Sequence, residues 1–514
     1  MKRGVESWTL GESGVETSDW AAIDALGIRR LTSDSRTLRA GDTFVAYPGD
    51  ARDGREFIAR AIAAGAHSVL WEASDFKWKN IWRTRQLGVR GLRHKIGPIA
   101  SHVYGRPSSR LWTVGVTGTN GKTSCTQWIA QALNQSQRRC VVTGTLGNGY
   151  PGALEAGVNT TPDAAWLHGK LNDWYRDGAR AAAMEVSSHG LQQGRLAGVE
   201  FDVALFTNLT RDHLDYHGTM ANYRRAKATL FQWPSLQWAV FNLDDRYGAA
   251  LARQRPVAAH LLGYSFNPQR ANATLPCVQG RNLRLGLDGI RFDAATPWGA
   301  VRVTSTALGR FNAANLLATL AVLLASGIAV RDAERLLAAL QPVAGRAQVF
   351  GGGRQPLVVV DYAHTPDALE KMLLTLREIH APSGNARSAP PSRLTCVFGC
   401  GGERDRGKRA LMGRIAARHA DALIVTSDNP RAEAPLAIIA DILVGVSRHR
   451  EAGKRCTVIE SRARAVSVAV AAAKPGDMVL IAGKGHESYQ EINGVRHRYS
   501  DAAAVTAALA RRQA

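Results

Sequence analysis

Residues Gly118, Thr119, Asn120, Gly121, Lys122, Thr123 and Ser124 form a stretch whose composition suits one task, holding phosphate. Glycines let backbone N–H groups converge on an anion, Lys122 neutralises phosphate charge and the Thr123 hydroxyl can hold Mg2+. An apolar run, Leu111–Val116, enters this turn, and a pattern with Trp128, Ile129, Ala132 and Leu133 on one helical face leaves it. The spacing departs from G-x-x-x-x-G-K-[ST]: Val116 stands where the first glycine belongs, and Gly115 comes one residue early. The loop is a variant, spelled T-G-T-N-G-K-T.

Acids and imidazoles follow other apolar runs. Glu185, near the end of the run Ala181–Val186, stands at a position where Mg2+ opposite Thr123 would need a carboxylate. The loop Thr210–Gly218 contains Asp212, His213, Asp215 and His217, a density that favours metal and phosphate duty over an ordinary hydrogen-bonded turn. Lys227 lies in a helical pattern, where a lysine is by default a solvated charge. Its distinguishing chemistry is a titratable amine that can act as a nucleophile or be modified, which arginine lacks. Further along, Gly399–Lys408, Asp428–Arg431 and Gly483–Glu487 are turns after strand-like runs, each carrying opposite charges. Such turns suit a zwitterion with carboxylate and ammonium groups.

These residues need elements to hold them. The alternation of short apolar runs with helical patterns, from about residue 109 to 343 and again beyond Pro342–Arg346, implies parallel sheets with helices on their faces. Ligands in such sheets bind beyond the carboxyl ends of the strands, where the polar clusters fall. Residues 271–305 lose helical periodicity and are expected to be β-rich, and a helix is expected from about Ala313 to Ala325. Residues 1–108 are expected to form a small unit of short strands and one helix, with Gly105–Ser108 as linker. The stretch Trp71–Arg93 is expected to be a solvated loop and helix, and Ala381–Ser392 a surface loop. The resulting expectation is an α/β protein of three domains. Residues 1–108 form a small α/β domain, 109–343 a central P-loop-type, mostly parallel sheet with helices on both faces, and 344–514 a Rossmann-like α/β domain.

Composition narrows the function classes. The 514-residue chain is 45% hydrophobic and has no apolar run long enough for a membrane helix, so no membrane insertion is expected. Six scattered cysteines without a C-x-x-C pair indicate neither a disulfide framework nor a zinc site, which fits a reducing cytoplasm. The start of the sequence lacks the apolar core of a signal peptide. A net charge of +22 raises the alternative of a nucleic-acid-stimulated ATPase. The basic residues are spread along the chain, however, and an enzyme of polyanionic small molecules explains them as well.

Taken together, the motifs resemble the Mur ligase family of cytoplasmic peptidoglycan synthesis. The resemblance rests on T-G-T-N-G-K-T at 117–123, E-V-S-S-H-G-L at 185–191, D-H-L-D-Y-H-G at 212–218 and G-R-F-N-A-A-N at 309–315. D-Y-A-H-T-P at 361–366, G-G-E-R-D-R-G-K-R at 401–409 and G-K-G-H-E at 483–487 complete it. The D-N-P-R motif of Asp428, Asn429, Pro430 and Arg431 is the form carried by the branch that uses meso-diaminopimelate. Lysine-adding relatives differ there. The resemblance implies ATP-dependent amide formation between UDP-N-acetylmuramoyl-L-alanyl-D-glutamate and meso-diaminopimelate through an acyl phosphate. It implies a cytoplasmic enzyme, a monomer, that takes no nucleic acid.

By the same resemblance, the loop at 118–124 with Asn315, Arg346 and Asp361 would contact ATP. Thr123, Glu185, His213 and a carbamylated Lys227 would hold Mg2+, with Lys122, Lys227 and His213 as catalytic groups. Ser35 and the turn at 50–52 would meet the uridine nucleotide, and Asn159, Thr160, Thr161, Ser187, Gln193 and Arg195 the muramoyl-dipeptide and its pyrophosphate. Arg404, Asp428, Asn429, Pro430, Arg431, Gly483 and Glu487 would form the diaminopimelate site. The rivals are the same chemistry with L-lysine or a folylpolyglutamate-type substrate, both disfavoured by D-N-P-R and by the first unit.

Overall fold

The computed structural model describes residues 17–50, 52–254, 259–271, 275–380, 392–447 and 455–512. Ala51 of the turn at 50–52, residues 381–391 of the expected surface loop and the first sixteen residues lie outside the described residues.

Three α/β units follow one another. The first holds four parallel strands, Leu31–Thr32, Thr43–Ala46, Ser68–Glu72 and Arg85–Val89, side by side in chain order. It carries more helix than the sequence suggested: Thr17–Ala25, Ile58–Ala63 and Leu92–Val103. The last was hidden because Gly97 and Pro98 sit inside it. Gly97 is needed for contact, since a Cβ there would lie 2.2 Å from the Ala197 carbonyl oxygen. Within Trp71–Arg93 the expected helix gives way to the strand Arg85–Val89, and only the start of Leu92–Val103 is helical. Phe76 and Trp78 instead pack on Trp71, with ring centroids 5.7 Å away in both cases, and Trp82 closes the cluster against Trp78 at 5.0 Å. Burying these rings locally is worth more than the helical bonds this segment could make.

The central sheet has eleven strands. Its middle is parallel, with Trp112–Thr117 between Val203–Phe206 and Ala181–Glu185. The β-rich excursion is an antiparallel meander, Cys277–Gly286, Gly289–Thr296 and Gly299–Ser305, added at one edge. A second antiparallel extension, Gly147–Tyr150 and Ala153–Glu155, lines the other edge. Helices Lys122–Gln135 and Arg310–Ala325 bury one face of the sheet, and Ala164–Arg176 packs on the opposite one. After Ala181–Glu185 the chain crosses to the far side of the phosphate-loop strand. That reversal of direction opens a crevice at the carboxyl ends.

The third sheet runs Gln348–Gly351, Leu357–Asp361, Met478–Ala482, Leu394–Phe398, Ala422–Val425 and Arg455–Val458, antiparallel only at its first pair. It too is covered on both faces. Its carboxyl ends face the central crevice. The hairpin Tyr489–Ile492 and Val495–Arg498 stands beside them.

Candidate active site

The loop after Trp112–Thr117 is shaped by close contact. Gly118 has φ +148°, and a Cβ there would fall on the Thr207 hydroxyl; at Gly121, φ +86°, a Cβ would lie 2.5 Å from Asn315 Oδ1. Gly115, the glycine that comes too early for the usual motif, is inside the strand and packs against Phe201. Two lysines converge on one acceptor. Lys122 Nζ donates to the carbonyls of Gly118 (2.8 Å) and Thr119 (2.9 Å), and Lys227 Nζ donates to Gly118 at 2.8 Å. Burial pulls the Lys122 ammonium below its ordinary range, although Glu185 and Asp212 pull the other way. Burial and then the charge of Lys122 push the Lys227 amine well below its ordinary value. A deprotonated amine in this position is a nucleophile.

Around the lysines stand the other groups singled out by the sequence. The Thr145 N–H and hydroxyl donate to the two oxygens of Glu185 at 2.8 and 3.0 Å. His213 has a left-handed backbone, φ +52°, and lies 3.4 Å from the Asp212 carboxylate. Desolvation keeps its imidazole neutral, against the pull of that carboxylate. Arg346 Nη2 donates to Thr123 Oγ1 at 2.9 Å, and its guanidinium lies 4.3 Å from the Tyr362 ring. Asp361 accepts from the Ala347 N–H at 2.7 Å. Asn120 Nδ2 crosses to the third unit and donates to Asp367 at 3.0 Å.

Opposite this wall, the turns of the third sheet are cross-linked by charge. Lys484 Nζ is wholly buried and donates to Asn429 Oδ1 (2.9 Å) and Glu487 Oε2 (2.7 Å), while Asn429 Nδ2 also donates to that Glu487 oxygen at 2.8 Å. Arg431, φ +52°, donates from Nη1 to the Gly402 carbonyl at 2.7 Å. Arg409 pairs with Glu433 at 2.9 Å and holds that carboxyl down at about 2. Gly483 passes so close to Asp428 that a Cβ would lie 2.5 Å from its carboxylate.

Both walls line a single cleft of about 1600 Å3. It brings together Thr119, Asn120, Gly121, Lys122, Thr123, Ser124, Asn159, Thr160, Glu185, Ser187, Arg195, His213, Lys227, Asn315, Arg346 and Asp361 with Arg404, Asp428, Asn429, Arg431, Gly483 and Glu487. Gly118, Ser35, Thr161, Gln193 and Pro430 are not in its lining. Gly118 contributes its carbonyl beneath the lysines. Thr161 works from behind: its hydroxyl donates to the Glu185 carbonyl at 2.7 Å and accepts from the Ser187 N–H at 3.0 Å. Gln193 donates to Asp50 of the first unit at 2.7 Å, and Arg93 pairs with the same carboxylate. Ser187 also caps a short helix through the Gly190 N–H. The sequence reading missed a side arm of the cleft, lined by Tyr264, Phe266, Arg310 and Phe311. Tyr264 and Phe266 come from the end of the interior strand His260–Ser265, and Arg310 and Phe311 from a helix start capped by Gly309, within the motif at 309–315.

A strand–glycine–lysine phosphate loop in the middle of three α/β units, facing acid- and arginine-bearing turns across one cleft, defines a P-loop-type protein with room for several ligands. Models of the Mur ligase middle domain, the Mur ligase glutamate ligase domain and the Mur ligase catalytic domain match residues 116–323, 345–485 and 27–102 respectively. A Chromobacterium violaceum protein named UDP-N-acetylmuramoyl-L-alanyl-D-glutamate–2,6-diaminopimelate ligase is 48% identical over 94% of this chain and 95% of its own length. A Pseudomonas aeruginosa protein of the same name is 50% identical over 94% and 95%. A solved structure of a ligase of that name superposes with a TM-score of 0.64 at 37% identity, covering 95% of this chain and 96% of its own. The MurF ligase of Thermotoga maritima, solved with ADP, shares the fold at 19% identity, with a TM-score of 0.63 over 89% of this chain and 94% of its own. The chain belongs to the Mur ligase family.

Proposed function

We propose that this protein is the ATP-dependent ligase that joins meso-diaminopimelate to the D-glutamate of UDP-N-acetylmuramoyl-L-alanyl-D-glutamate, acting in the cytoplasm as a monomer in peptidoglycan precursor synthesis. The observation that carries the reading is the facing of Lys122 and Lys227 by the D-N-P-R turn across one cleft. The near-50% identity to relatives bearing that name supports it.

The γ-carboxylate oxygen of D-glutamate attacks the γ-phosphorus of ATP, and ADP leaves. The amine of diaminopimelate then attacks the acyl carbon, and phosphate leaves with the bonding electrons. Negative charge gathers at both steps, so fixed cations carry more of the catalysis than an acid–base pair. Lys122 stabilises the transferring phosphoryl group. Arg346 exchanges the Thr123 hydroxyl for nucleotide, and the side arm at Tyr264 and Phe266 receives the base. Arg404 and Arg431 hold carboxylates of the amino acid, while Asp428, Asn429 and Glu487 hold an ammonium.

The donor set fits Mg2+. Thr123 and Glu185 offer hard oxygens, and His213 is neutral. No cluster of three acid, imidazole or thiol ligands occurs among the described residues, so phosphates and water would complete the shell, as is usual for this ion. When bound, the ion neutralises phosphate charge and orients the transferring group. As an ammonium Lys227 has no lone pair to offer a cation. Its depressed basicity suits carbamylation, which would turn it into an anionic oxygen ligand.

Phosphate release in the presence of UDP-N-acetylmuramoyl-L-alanyl-D-glutamate tests the assignment, with meso-diaminopimelate, L-lysine and DNA compared. Release dependent on diaminopimelate is expected. Dependence on lysine, or stimulation by DNA alone, would overturn it.

A further inference from the structure

Asp428 is buried, and among the described residues its carboxylate makes one long ion pair, to Arg462, whose Nη1 lies 3.6 Å from Oδ2. Arg462 belongs to the helix Arg462–Ala472, outside every motif that pointed to the site. Its side chain has no solvent exposure, and each nitrogen but one is held. Nε and Nη2 donate to the two oxygens of Asp501 at 2.8 and 2.7 Å, and Nη2 also reaches the Ala482 carbonyl at 2.9 Å, next to Gly483. Tyr499 completes the set, its hydroxyl donating to Asp501 Oδ1 at 2.8 Å. Nη1 is left without a hydrogen-bond partner among the described residues, and it faces Asp428.

The arrangement has a directional logic. A buried carboxylate beside a fully available arginine would be neutralised by it and have little left for a ligand. Here Asp501 takes the guanidinium bidentately, fixing it one step too far back for a direct pair with Asp428. Asp428 therefore receives the field of a cation without a direct guanidinium hydrogen bond, and it lines the cleft. Burial alone would push its carboxyl up; Lys484 and Arg462 outweigh that and keep it below the ordinary carboxylate range. The backbone of the same residue is pinned separately, by Gln490 Nε2 donating to the Asp428 carbonyl at 2.6 Å.

We propose that Arg462, restrained by Asp501 and Tyr499, is a positioning unit that keeps Asp428 charged and open toward the non-reacting ammonium group of the acceptor amino acid. The unit brings the helix Asp501–Ala510 into acceptor selection although no residue of that helix lines the cleft. In Asp501→Asn the arginine is released to pair with Asp428 and competes with the ligand. In Tyr499→Phe the restraint is loosened without removing a charge. The inference rests on the diaminopimelate reading above.

The test uses the full-length enzyme and two acceptors, meso-diaminopimelate and 2-aminopimelate, which keeps the reacting amine and lacks the second ammonium. The readout is the ratio of their kcat/KM values, with the KM for ATP as control. In the wild type the ratio favours diaminopimelate strongly. Asp501→Asn is expected to shrink it at least tenfold and Tyr499→Phe about threefold, with the KM for ATP within twofold of wild type. A purely structural role lowers both acceptors together. An unchanged ratio in a folded Tyr499→Phe enzyme therefore overturns the inference even if Asp501→Asn fails to fold. If the wild type shows no diaminopimelate-dependent turnover, the functional assignment fails instead.

Discussion

The two walls of the cleft treat charge in opposite ways. On the phosphate-loop side, Lys122 and Lys227 point at the same backbone carbonyl, and neither has a carboxylate within ion-pair distance among the described residues. On the acceptor side, Lys484, Arg409 and Arg462 each have a carboxylate partner at 2.9 Å or less. On the proposed reading, the first wall presents Lys122 without an ion-pair partner and is completed by the phosphates of the nucleotide. The second pairs most of its charges internally and, on the same reading, selects by geometry, leaving a few directed groups for a zwitterion. Binding energy in the first is electrostatic and chemical, whereas in the second it is a matter of recognition.

On that contrast, removing a lysine from the first wall should damage turnover most. Lys122→Ala is expected to lower kcat for phosphate release by about 10³-fold, the scale of losing a group aimed at transition-state charge. A loss confined to KM would break the contrast. Lys227→Ala should cost about 10²-fold and be partly restored by a small added carboxylate. Unchanged activity would refute the carbamate role. On the second wall, Arg431→Ala should raise the diaminopimelate KM about 30-fold, the worth of a charged hydrogen bond, with the KM for ATP unmoved. Equal effects on both would erase the distinction between the walls.

A buried group with no counter-charge provides the reference for both. His168 lies behind the central sheet, donating from Nε2 to the Ala197 carbonyl at 3.0 Å, and burial lowers its pKa from 6.5 to about 4. The unfolded chain takes up this proton as the pH falls through 6.5, but the folded protein resists until about 4. Stability from this source is therefore lost as the pH falls across that window. From pH 7 to 5.5 the loss is about 1 kcal/mol. His168→Gln should remove that increment from the difference in unfolding free energy between the two conditions.

Much of the first wall was legible in the sequence because phosphate binding needs a local shape. A strand, two glycines at positive φ and a Lys-Thr pair fall within a few residues, and Lys122 could be assigned from its neighbours alone. The second wall was legible only at its turns. Asp428 and Arg431 stand in a recognisable string, but Arg462 reaches Asp428, and Asp501 reaches Arg462, from helices whose sequences carry no motif. Long-range ion pairs leave no periodic trace. The same holds for Tyr264 and Phe266, brought to the cleft by the end of the interior strand His260–Ser265. In the first unit, a helix containing Gly97 and Pro98 runs against local propensity and forms because tertiary contact outweighs it.

The hydrogen bond from Arg346 to Thr123 ties the joint between the second and third units to the start of the helix that follows the glycine loop. On the proposed reading, in which Arg346 contacts ATP, nucleotide binding trades this hydrogen bond for one to the ligand. The nucleotide affinity is then a difference between the two. A change that weakens only the Arg346–Thr123 bond would tighten nucleotide binding without any new contact to the nucleotide.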